Sequence, residues 1–577
     1  MDQRPAERIA RKRHSVGRRP HPPRLQQSHR REQMKGAAAV ASILKQEGVE
    51  CLFCFPINQV IDAGAELGIR PIMARTERAV LGMADGYARA TSGRRIGVCT
   101  VQYGPGTENA FGGLAQAYSD STPILFLPGG VPEGRTGVKP NFDAVLNFQQ
   151  VTKWVARVNR ADRIPEFMRR AFTYLRTGRL GPVALELPWD VMLAETDEAA
   201  LTYAPVRGAR AMADPADVAA AVKAILAAKL PLIHAGLGIL YAQASEELRE
   251  FAELLQAPVM TTLSGKSAFP EDHPLSIGSG GMAWPRAITK YLADADLVFG
   301  AGSSLSISSF AAPIPKGKVG VQLTVDDRDL NKDYPARHLL VGDAKLVLRQ
   351  MIEEAERQLG RDGRRGGDRV ARQIKAIKDE WLAEWMPRLT SAEVPINPYR
   401  VVWDLQQAVA GRDIIVTHDA GNPRDQMTPF WTARTPNSYI GWGRSTHLGY
   451  SLPLALGAKV ARPEATVLHV LGDAAFGQCG MDLETAVRNK IGIVTVLLNN
   501  SCLGGYDKHL PHATRLYGTR FLSGCYSKVA EGLGAYAELV EKPAEIIPAA
   551  RRALQAADAG RPALLEIITK EEPVFSK

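Results

Sequence analysis

Two short polar segments in the last third of the chain each follow an apolar, strand-like stretch. Residues 472–477 read Gly-Asp-Ala-Ala-Phe-Gly, and beyond a helix-like stretch residues 494–500 read Val-Thr-Val-Leu-Leu-Asn-Asn. Asp473 offers carboxylate oxygens and Asn500 an amide oxygen, and Mg²⁺ prefers a few such ligands together with phosphate oxygens. The backbone N–H groups after Asp473 lie where a helix begins, so they can hold phosphate. The two segments therefore predict a site for a divalent cation and a diphosphate.

This arrangement resembles the thiamine-diphosphate signature, in which Gly-Asp-Gly after one strand is followed by Asn-Asn after the next. The third position here is Ala474. The resemblance implies that Asp473 and Asn500 bind Mg²⁺ through their side chains and that the backbone carbonyl of Cys502 is the third protein ligand. The alternative is an ordinary βαβ turn with a helix-capping Asp and a surface Asn pair. The cofactor-binding residues implied in this region are Gly472, Asp473, Ala474, Ala475, Asn500, Cys502, Leu503 and Gly504.

A second segment, far upstream, points to the same family. Residues 74–78 read Ala-Arg-Thr-Glu-Arg, and residues 84–89 read Ala-Asp-Gly-Tyr-Ala-Arg. This order resembles the start of the pyrimidine-binding domain of thiamine-diphosphate enzymes. It implies that Glu77 hydrogen-bonds the aminopyrimidine ring of the cofactor and is the catalytic residue that holds or passes a proton. The alternative is that Glu77 only caps the helix that follows it. A Gly-Pro-Gly turn at 104–106 and a strand at 123–127 continue the family order.

Residues between 416 and 450 extend the predicted site. Residues 416–422 read Val-Thr-His-Asp-Ala-Gly-Asn, a strand end whose polar side chains, including Asn422, could meet the diphosphate. By the same resemblance, Leu448 wedges between the two cofactor rings and bends the cofactor. The backbone carbonyl of Thr446 then accepts a hydrogen bond from the amino group of the cofactor. Without the resemblance, Leu448 is simply a core residue.

Strand-like and helix-like segments alternate along most of the chain, which predicts parallel sheets with helices on both faces. The expected fold class is α/β, with three doubly wound parallel-sheet domains, as the length of 577 residues also suggests. The expected domains are a pyrimidine-binding domain at 34–201, a central Rossmann-like domain at 215–356 and a diphosphate-binding domain at 396–577. Residues 357–395 are expected to form a linker, because they include a charged, Gly-rich run.

The central domain contains two Gly-rich turns, at residues 236–238 and 300–304, that look like nucleotide-binding turns. Gly-x-Gly without a third Gly and a downstream acidic partner is also typical of close packing between a strand and a helix. Acetolactate synthases bind FAD in this domain. Their Phe-Asp-Asp-Arg run is absent, however, and residues 303–307 read Ser-Ser-Leu-Ser-Ile. We therefore expect a protein without bound FAD.

Composition narrows the class of protein. The chain is 45% apolar and 23% charged, as in ordinary soluble proteins, and no apolar run approaches the ~20 residues that span a bilayer. The net charge is +10, but residues 1–33 carry ten Lys or Arg against three Asp or Glu, which leaves +3 for the rest. This tail is expected to be disordered, and nucleic acid is not an expected partner. Alternatively, the tail is a nucleic-acid or targeting arm, or Met34 is the true start.

The six cysteines are scattered, which fits a reducing cytoplasm, the expected location of the protein. Cys51 and Cys54 form a Cys-x-x-Cys, but the second half of a zinc site is missing and the context is a buried strand.

From about Met34 to the C-terminus the chain resembles the acetolactate-synthase-like branch of thiamine-diphosphate enzymes. This implies a Mg²⁺-dependent lyase or carboligase that acts on a 2-oxo acid and is active as a homodimer or homotetramer. The cofactor supplies a nucleophilic carbon that attacks a carbonyl and an electron sink for loss of CO₂ or cleavage of a C–C bond.

Several residues depart from the synthase pattern, so the sequence is also compatible with other substrates. Residues 188–190 read Pro-Trp-Asp where synthases often have Pro-Lys-Asp, and no Trp follows the Asn pair in residues 504–509. The cofactor domain also resembles 2-hydroxyacyl-CoA lyases and oxalyl-CoA decarboxylases, so an acyl-CoA is the alternative substrate. A cofactor-binding regulatory homologue is the non-enzyme alternative, and retention of Glu77, Asp473 and Asn500 argues against it.

Overall fold

The computed structural model describes residues 33–364 and 368–577. Three six-stranded sheets organise these residues, and every strand pair within each of the three sheets is parallel. The predicted fold class, α/β with three parallel-sheet units, is confirmed. The predicted basic tail, residues 1–33, lies outside the described residues apart from Gln33. In the described ranges, no helix is both long and apolar enough to cross a bilayer.

The first unit carries the predicted pyrimidine-binding segment. Its elements are β1 (Gln33–Lys35), α1 (Gly36–Gln46), β2 (Cys51–Phe55), α2 (Gln59–Glu66), β3 (Arg70–Met73), α3 (Glu77–Arg89), β4 (Gly97–Val101), α4 (Pro105–Asn109), α5 (Phe111–Ser119), β5 (Ile124–Gly130), α6 (Ala144–Phe148), β6 (Trp154–Arg157), α7 (Ile164–Arg176), β7 (Val183–Pro188), α8 (Trp189–Leu193) and β8 (Glu195–Asp197). The strand order is β3-β2-β4-β5-β7-β6, and β1 pairs with β8 in a separate antiparallel ribbon.

The second unit has the strand order of dinucleotide-binding folds. Its elements are α9 (Pro215–Ala227), β9 (Pro231–Ala235), α10 (Leu237–Ala242), α11 (Ser245–Leu255), β10 (Val259–Thr262), β11 (Ser276–Gly280), α12 (Arg286–Asp294), β12 (Leu297–Ala301), β13 (Val319–Thr324), β14 (His338–Val341) and α13 (Ala344–Leu359). In the order β11-β10-β9-β12-β13-β14, successive strands along the chain are added on one side of β9 up to β11 and on its other side from β12 onward, so the winding of the sheet reverses between β9 and β12. Ligands of such sheets bind at the carboxyl ends of the strands at this reversal.

The third unit carries both polar segments near the C-terminus. Its elements are α14 (Asp368–Leu389), α15 (Pro398–Ala408), β15 (Ile414–His418), α16 (Asn422–Phe430), β16 (Tyr439–Ile440), α17 (Ser451–Ala461), β17 (Thr466–Gly472), α18 (Asp473–Cys479), α19 (Asp482–Asn489), β18 (Val494–Asn499), α20 (Pro511–Tyr517), α21 (Tyr526–Gly532), β19 (Tyr536–Val540), α22 (Ile546–Asp558) and β20 (Ala563–Ile568). The strand order is β16-β15-β17-β18-β20-β19.

The predicted linker, residues 357–395, contains the long helix α14. Two buried tryptophans of this helix, Trp381 and Trp385, pack on Phe430, with ring centroids 5.0 and 4.9 Å apart. This helix therefore belongs to the apolar core of the third unit.

Helices α3 and α17 hold the first and third units together. A Cβ at Gly86 would lie 1.8 Å from the carbonyl oxygen of Leu454, and a Cβ at Gly457 would lie 1.9 Å from that of Met83. Only glycine permits this approach, which explains the Gly in the Gly-Tyr-Ala-Arg segment. Because α3 begins at Glu77, the contact also fixes that residue relative to the third unit of the same chain.

Asp482 at this interface gives a pH-dependent prediction. Its Oδ1 accepts hydrogen bonds from the Arg75 amide and the Thr485 hydroxyl, both at 3.0 Å, and burial raises the pKa of its carboxyl to about 6. Because the folded protein favours the protonated carboxyl of Asp482, this residue contributes stability below the unfolded pKa of about 3.9. That contribution is lost as the pH rises through about 6. Asp482→Asn keeps the acceptor and removes the charge, so we expect it to stabilise the protein at pH 8 by about 1–3 kcal/mol.

The measurement is the difference in urea unfolding midpoint between Asp482→Asn and wild type from pH 5 to pH 8. The gain should shrink toward pH 5. A gain that is the same at both pH values would contradict the assigned cause.

Candidate active site

The two polar segments reach the same edge of the third sheet. Strands β17 and β18 are parallel neighbours, with Gly472 paired to Leu498. Asp473 follows β17 directly and begins α18, while Asn500 follows β18 directly. The structure therefore brings together the carboxylate and the amide that the sequence analysis singled out.

Asp473 keeps one carboxylate oxygen free. Oδ1 accepts a hydrogen bond from the amide of Ala474 at 2.7 Å, whereas Oδ2 is buried and has no hydrogen-bond partner among the described residues. Burial raises the pKa of Asp473, and the amides of Ala474, Ser501 and Cys502 oppose the rise. Buried polar atoms normally have a partner, so an oxygen left in this state fits a cation.

The Asn pair divides its roles. The buried Asn499 donates to Oε1 of Glu566 at 2.8 Å, so it is not the surface residue of the alternative interpretation. Oδ1 of Asn500 accepts from the amide of Cys502 at 3.2 Å and shapes the turn. Burial raises the pKa of the Cys502 thiol to about 11. Mg²⁺ prefers oxygen ligands to sulfur, which leaves the backbone carbonyl of Cys502 as the candidate ligand.

The start of α16 lies against the turn after β18. A Cβ at Gly504 would lie 2.4 Å from Nδ2 of Asn422, so a larger residue there would displace the Asn422 side chain. Leu503 is half-buried, and its amide donates to the carbonyl of Arg520 at 2.8 Å. A Cβ at Gly472 would lie 4.0 Å from Pro423 of α16. Asn422, Gly472, Leu503 and Gly504, which lie far apart in sequence, thus converge at one place.

The loop before α17 packs on α18. Gly449 has a φ of +77°, and a Cβ there would lie 3.1 Å from the carbonyl oxygen of Ala475. Thr446 is exposed and Leu448 is half-buried. The carbonyl of Leu448 accepts a hydrogen bond from Nη2 of Arg78 at 3.2 Å. The loop with the predicted wedge residue therefore lies beside the Asp473 turn.

Glu77 is only 6% exposed and is the first residue of α3. The helix cap is its neighbour Thr76, whose hydroxyl accepts from the amide of Ala79 at 3.2 Å, so the carboxylate of Glu77 is not the cap. Oε2 of Glu77 instead accepts from Nδ2 of Asn109 at 3.4 Å. A Cβ at Gly106 would lie 3.4 Å from Oε1, which places the Gly-Pro-Gly turn beside this carboxylate.

Within the described part of one chain, no hydrogen bond or ion pair joins Glu77 to Asp473 or to Asn500. Arg78, which was not among the predicted site residues, bridges the first and third units through Leu448 and through Oε1 of Gln478 at 3.4 Å. Its only local signal is adjacency to Glu77, because its partners lie hundreds of residues away.

A cavity of about 460 Å³ lies where all three units meet. The two Gly-rich turns of the second unit line it at the reversal of strand order, together with residues of the first unit and residues 442–444 of the third. Its charged lining residues are five arginines, Arg94, Arg176, Arg179, Arg210 and Arg444, and three aspartates, Asp120, Asp329 and Asp343. The excess of arginines suits an anionic ligand.

Fold and site together define an α/β enzyme, and comparison with known proteins names its family. The sequence profiles that match are those of the thiamine pyrophosphate enzymes: the N-terminal TPP-binding domain at 34–153, the central domain at 218–351 and the C-terminal TPP-binding domain at 419–567. The chain belongs to the thiamine pyrophosphate enzyme family.

Full-length relatives define the branch. A probable acetolactate synthase large subunit of Methanocaldococcus jannaschii is 32% identical over 93% of this chain and 92% of its own length. A probable acetolactate synthase large subunit of Methanococcus aeolicus is 31% identical over 90% of both chains, and a glyoxylate carboligase of Escherichia coli O157:H7 is 30% identical over 90% of both. The predicted class, an acetolactate-synthase-like carboligase dependent on thiamine diphosphate, is confirmed.

Proposed function

We propose that this enzyme requires Mg²⁺ as well as thiamine diphosphate and forms or breaks C–C bonds of a 2-oxo acid. The observation that carries the metal requirement is Oδ2 of Asp473, which is buried and has no partner among the described residues, at the sheet edge that also presents Asn500. The substrate class is supported by the glyoxylate carboligase among its relatives, since glyoxylate is a 2-oxo acid.

The proposed cofactor site has three parts. Asp473, Asn500 and the carbonyl of Cys502 would hold the cation. The residues that would surround the diphosphate are Asn422, Gly472, Ala474, Ala475, Leu503 and Gly504. The carbonyl of Thr446 and the side chain of Leu448 would contact the rings. When bound, thiamine diphosphate supplies a nucleophilic carbon and an electron sink.

Glu77 is the proposed proton carrier. Its carboxylate is almost fully withdrawn from water, and Asn109 orients one of its oxygens by donating to Oε2. A carboxylate positioned in this way would be able to exchange a proton with the bound cofactor during turnover.

We propose a homodimer as the smallest active unit, with a tetramer also compatible. In the part of one chain that the structure describes, Glu77 has no hydrogen bond to the proposed metal ligands. At the carboxyl edge of the first sheet, Tyr103 and Trp189 are 47% and 38% exposed and lie 6.4 Å apart between ring centroids. Exposed aromatic side chains at the edge of an incomplete site are suited to burial against a second subunit of the same protein.

The test of the substrate is mass spectrometry of products after the cofactor-loaded protein is offered pyruvate, glyoxylate, other 2-oxo acids and acyl-CoAs in parallel. A carboligation or decarboxylation product from a 2-oxo acid supports the proposal. If only acyl-CoAs are turned over, the protein is an acyl-CoA lyase and the proposal for a 2-oxo acid is wrong. Trp189, which stands where synthases often have Lys, is compatible with that alternative.

We predict that the purified protein is colourless. The segment Ser303 to Ile307 replaces the synthase Phe-Asp-Asp-Arg run, and Ser304 already accepts a hydrogen bond from Nη2 of Arg444 at 2.8 Å. The measurement is the visible absorption of the protein and of the supernatant after heat denaturation. A flavin spectrum near one equivalent per chain would show that the cavity accepts FAD without that run.

A further inference from the structure

A buried chain of hydrogen bonds lies behind the loop that carries Thr446 and Leu448. Building on the proposed function, we propose that Asp419, Ser451 and His469 are positioning residues. They hold this loop in the conformation that sets the cofactor rings for ionisation, although none of the three is proposed to touch the cofactor.

Asp419 directly follows β15 and is fully buried. Its Oδ1 accepts hydrogen bonds from the amides of Ala420 at 2.8 Å and Gly449 at 3.0 Å. Its Oδ2 accepts from the amide of Ser451 at 3.2 Å and from the Ser451 hydroxyl. One carboxylate therefore fixes both ends of the turn immediately after Leu448.

The chain of hydrogen bonds continues through the sheet. The Ser451 hydroxyl has one proton, which it donates to Asp419, so it accepts from Nε2 of His469 at 2.6 Å. Nδ1 of His469 then accepts from the Thr495 hydroxyl at 3.3 Å. Burial lowers the pKa of His469 to about 3, which keeps the ring neutral near neutral pH, and the hydrogen bonds to Ser451 and Thr495 select the tautomer. Residues of β17 and β18, the two strands that present the metal-binding residues, thus support the loop.

Leu448 is held from both sides of its backbone. Its carbonyl accepts from Arg78, and the next amide, that of Gly449, donates to Asp419. The side chain of Thr446 is exposed and that of Leu448 is half-buried, so both remain accessible to a ligand. A change in Asp419 should therefore alter how the cofactor rings are held while Asp473 and Asn500 remain in place.

The first test uses the full-length Asp419→Asn protein saturated with thiamine diphosphate and Mg²⁺. Asn keeps one acceptor oxygen, but its NH2 group then has to face either the amides of Ala420 and Gly449 or the amide of Ser451, which are themselves donors, so the turn should loosen. We expect exchange of the thiazolium C2 proton, followed by NMR after acid quench, to slow about 10- to 100-fold, the range for hydrogen bonds to charged groups. The near-ultraviolet circular dichroism of the bound cofactor should change as well.

The matched control is Asp404→Asn. Asp404 is also a buried carboxyl of the third unit, paired with Arg400 at 2.7 Å on α15. It should lower the unfolding midpoint without changing the C2 exchange rate. Wild-type exchange in saturated Asp419→Asn would overturn the proposal, as would an equal slowing in Asp404→Asn.

A second pair of variants keeps the proposal testable if Asp419→Asn does not fold. His469→Gln retains a donor toward Ser451 and an acceptor toward Thr495, whereas His469→Leu retains neither. Exchange should be slow in the Leu variant and largely restored in the Gln variant, and equal rates in the two would overturn the role of His469. Absence of thiamine-diphosphate binding by the wild-type protein in calorimetry would instead refute the proposed function.

Discussion

Replacing Asp473 with Ala is expected to abolish binding of thiamine diphosphate in the presence of Mg²⁺. The substitution removes the carboxylate whose Oδ2 is buried without a partner at the proposed cation site. Loss of a group that only supports a metal ligand weakens binding about 10- to 100-fold. Loss of the charged ligand itself should weaken cofactor affinity by more than about a hundredfold, as measured by calorimetric titration at saturating Mg²⁺.

Asp404→Asn is again the matched control, because it changes a buried carboxyl of the same unit that pairs with Arg400 on α15. It should bind the cofactor as the wild type does. An unchanged affinity in Asp473→Ala, with the fold intact by circular dichroism, would remove Asp473 from the cation site.

The alternation of apolar runs and turn residues predicted parallel sheets, and the chain length and the family resemblance set their number at three. The same pattern placed Asp473 and Asn500 at one sheet edge, because neighbouring parallel strands end on the same side. Helix α14 was not predicted, since its tryptophans pack on Phe430 and Tyr399, which lie on other helices. Sequence alone also left open whether Glu77 caps its helix, a question that the hydroxyl of Thr76 decides.

The support behind the cofactor loop could not be predicted in the same way. Asp419, Ser451 and His469 belong to a strand end, a helix start and a different strand, and no periodicity links their positions. Their pairing depends on β15 and β17 lying side by side and on α17 packing above them. A sequence motif can identify residues that bind a shared ligand. Residues that support them from separate elements can be identified only from the folded structure.

Replacing Glu77 with Gln should slow turnover about 10²- to 10⁴-fold, the contribution of a positioned acid–base group. Gln keeps the size of the side chain and can keep the contact with Asn109, but it cannot transfer a proton. Binding of thiamine diphosphate with Mg²⁺ should persist in calorimetry. Glu108→Gln makes the same change at an exposed position beside the Gly-Pro-Gly turn and should leave turnover near that of wild type.

Hybrid dimers of Glu77→Gln and Asp473→Ala subunits should recover part of the activity that each variant lacks alone. If Glu77 of one subunit completes the site of the other, one of the two sites in each hybrid carries both intact residues. The other site carries both substitutions. Native mass spectrometry establishes that hybrids are present, and their turnover should approach half that of the wild type. No recovery in such hybrids would place both residues in one site within a single chain, and the proposal of a shared site would then be wrong.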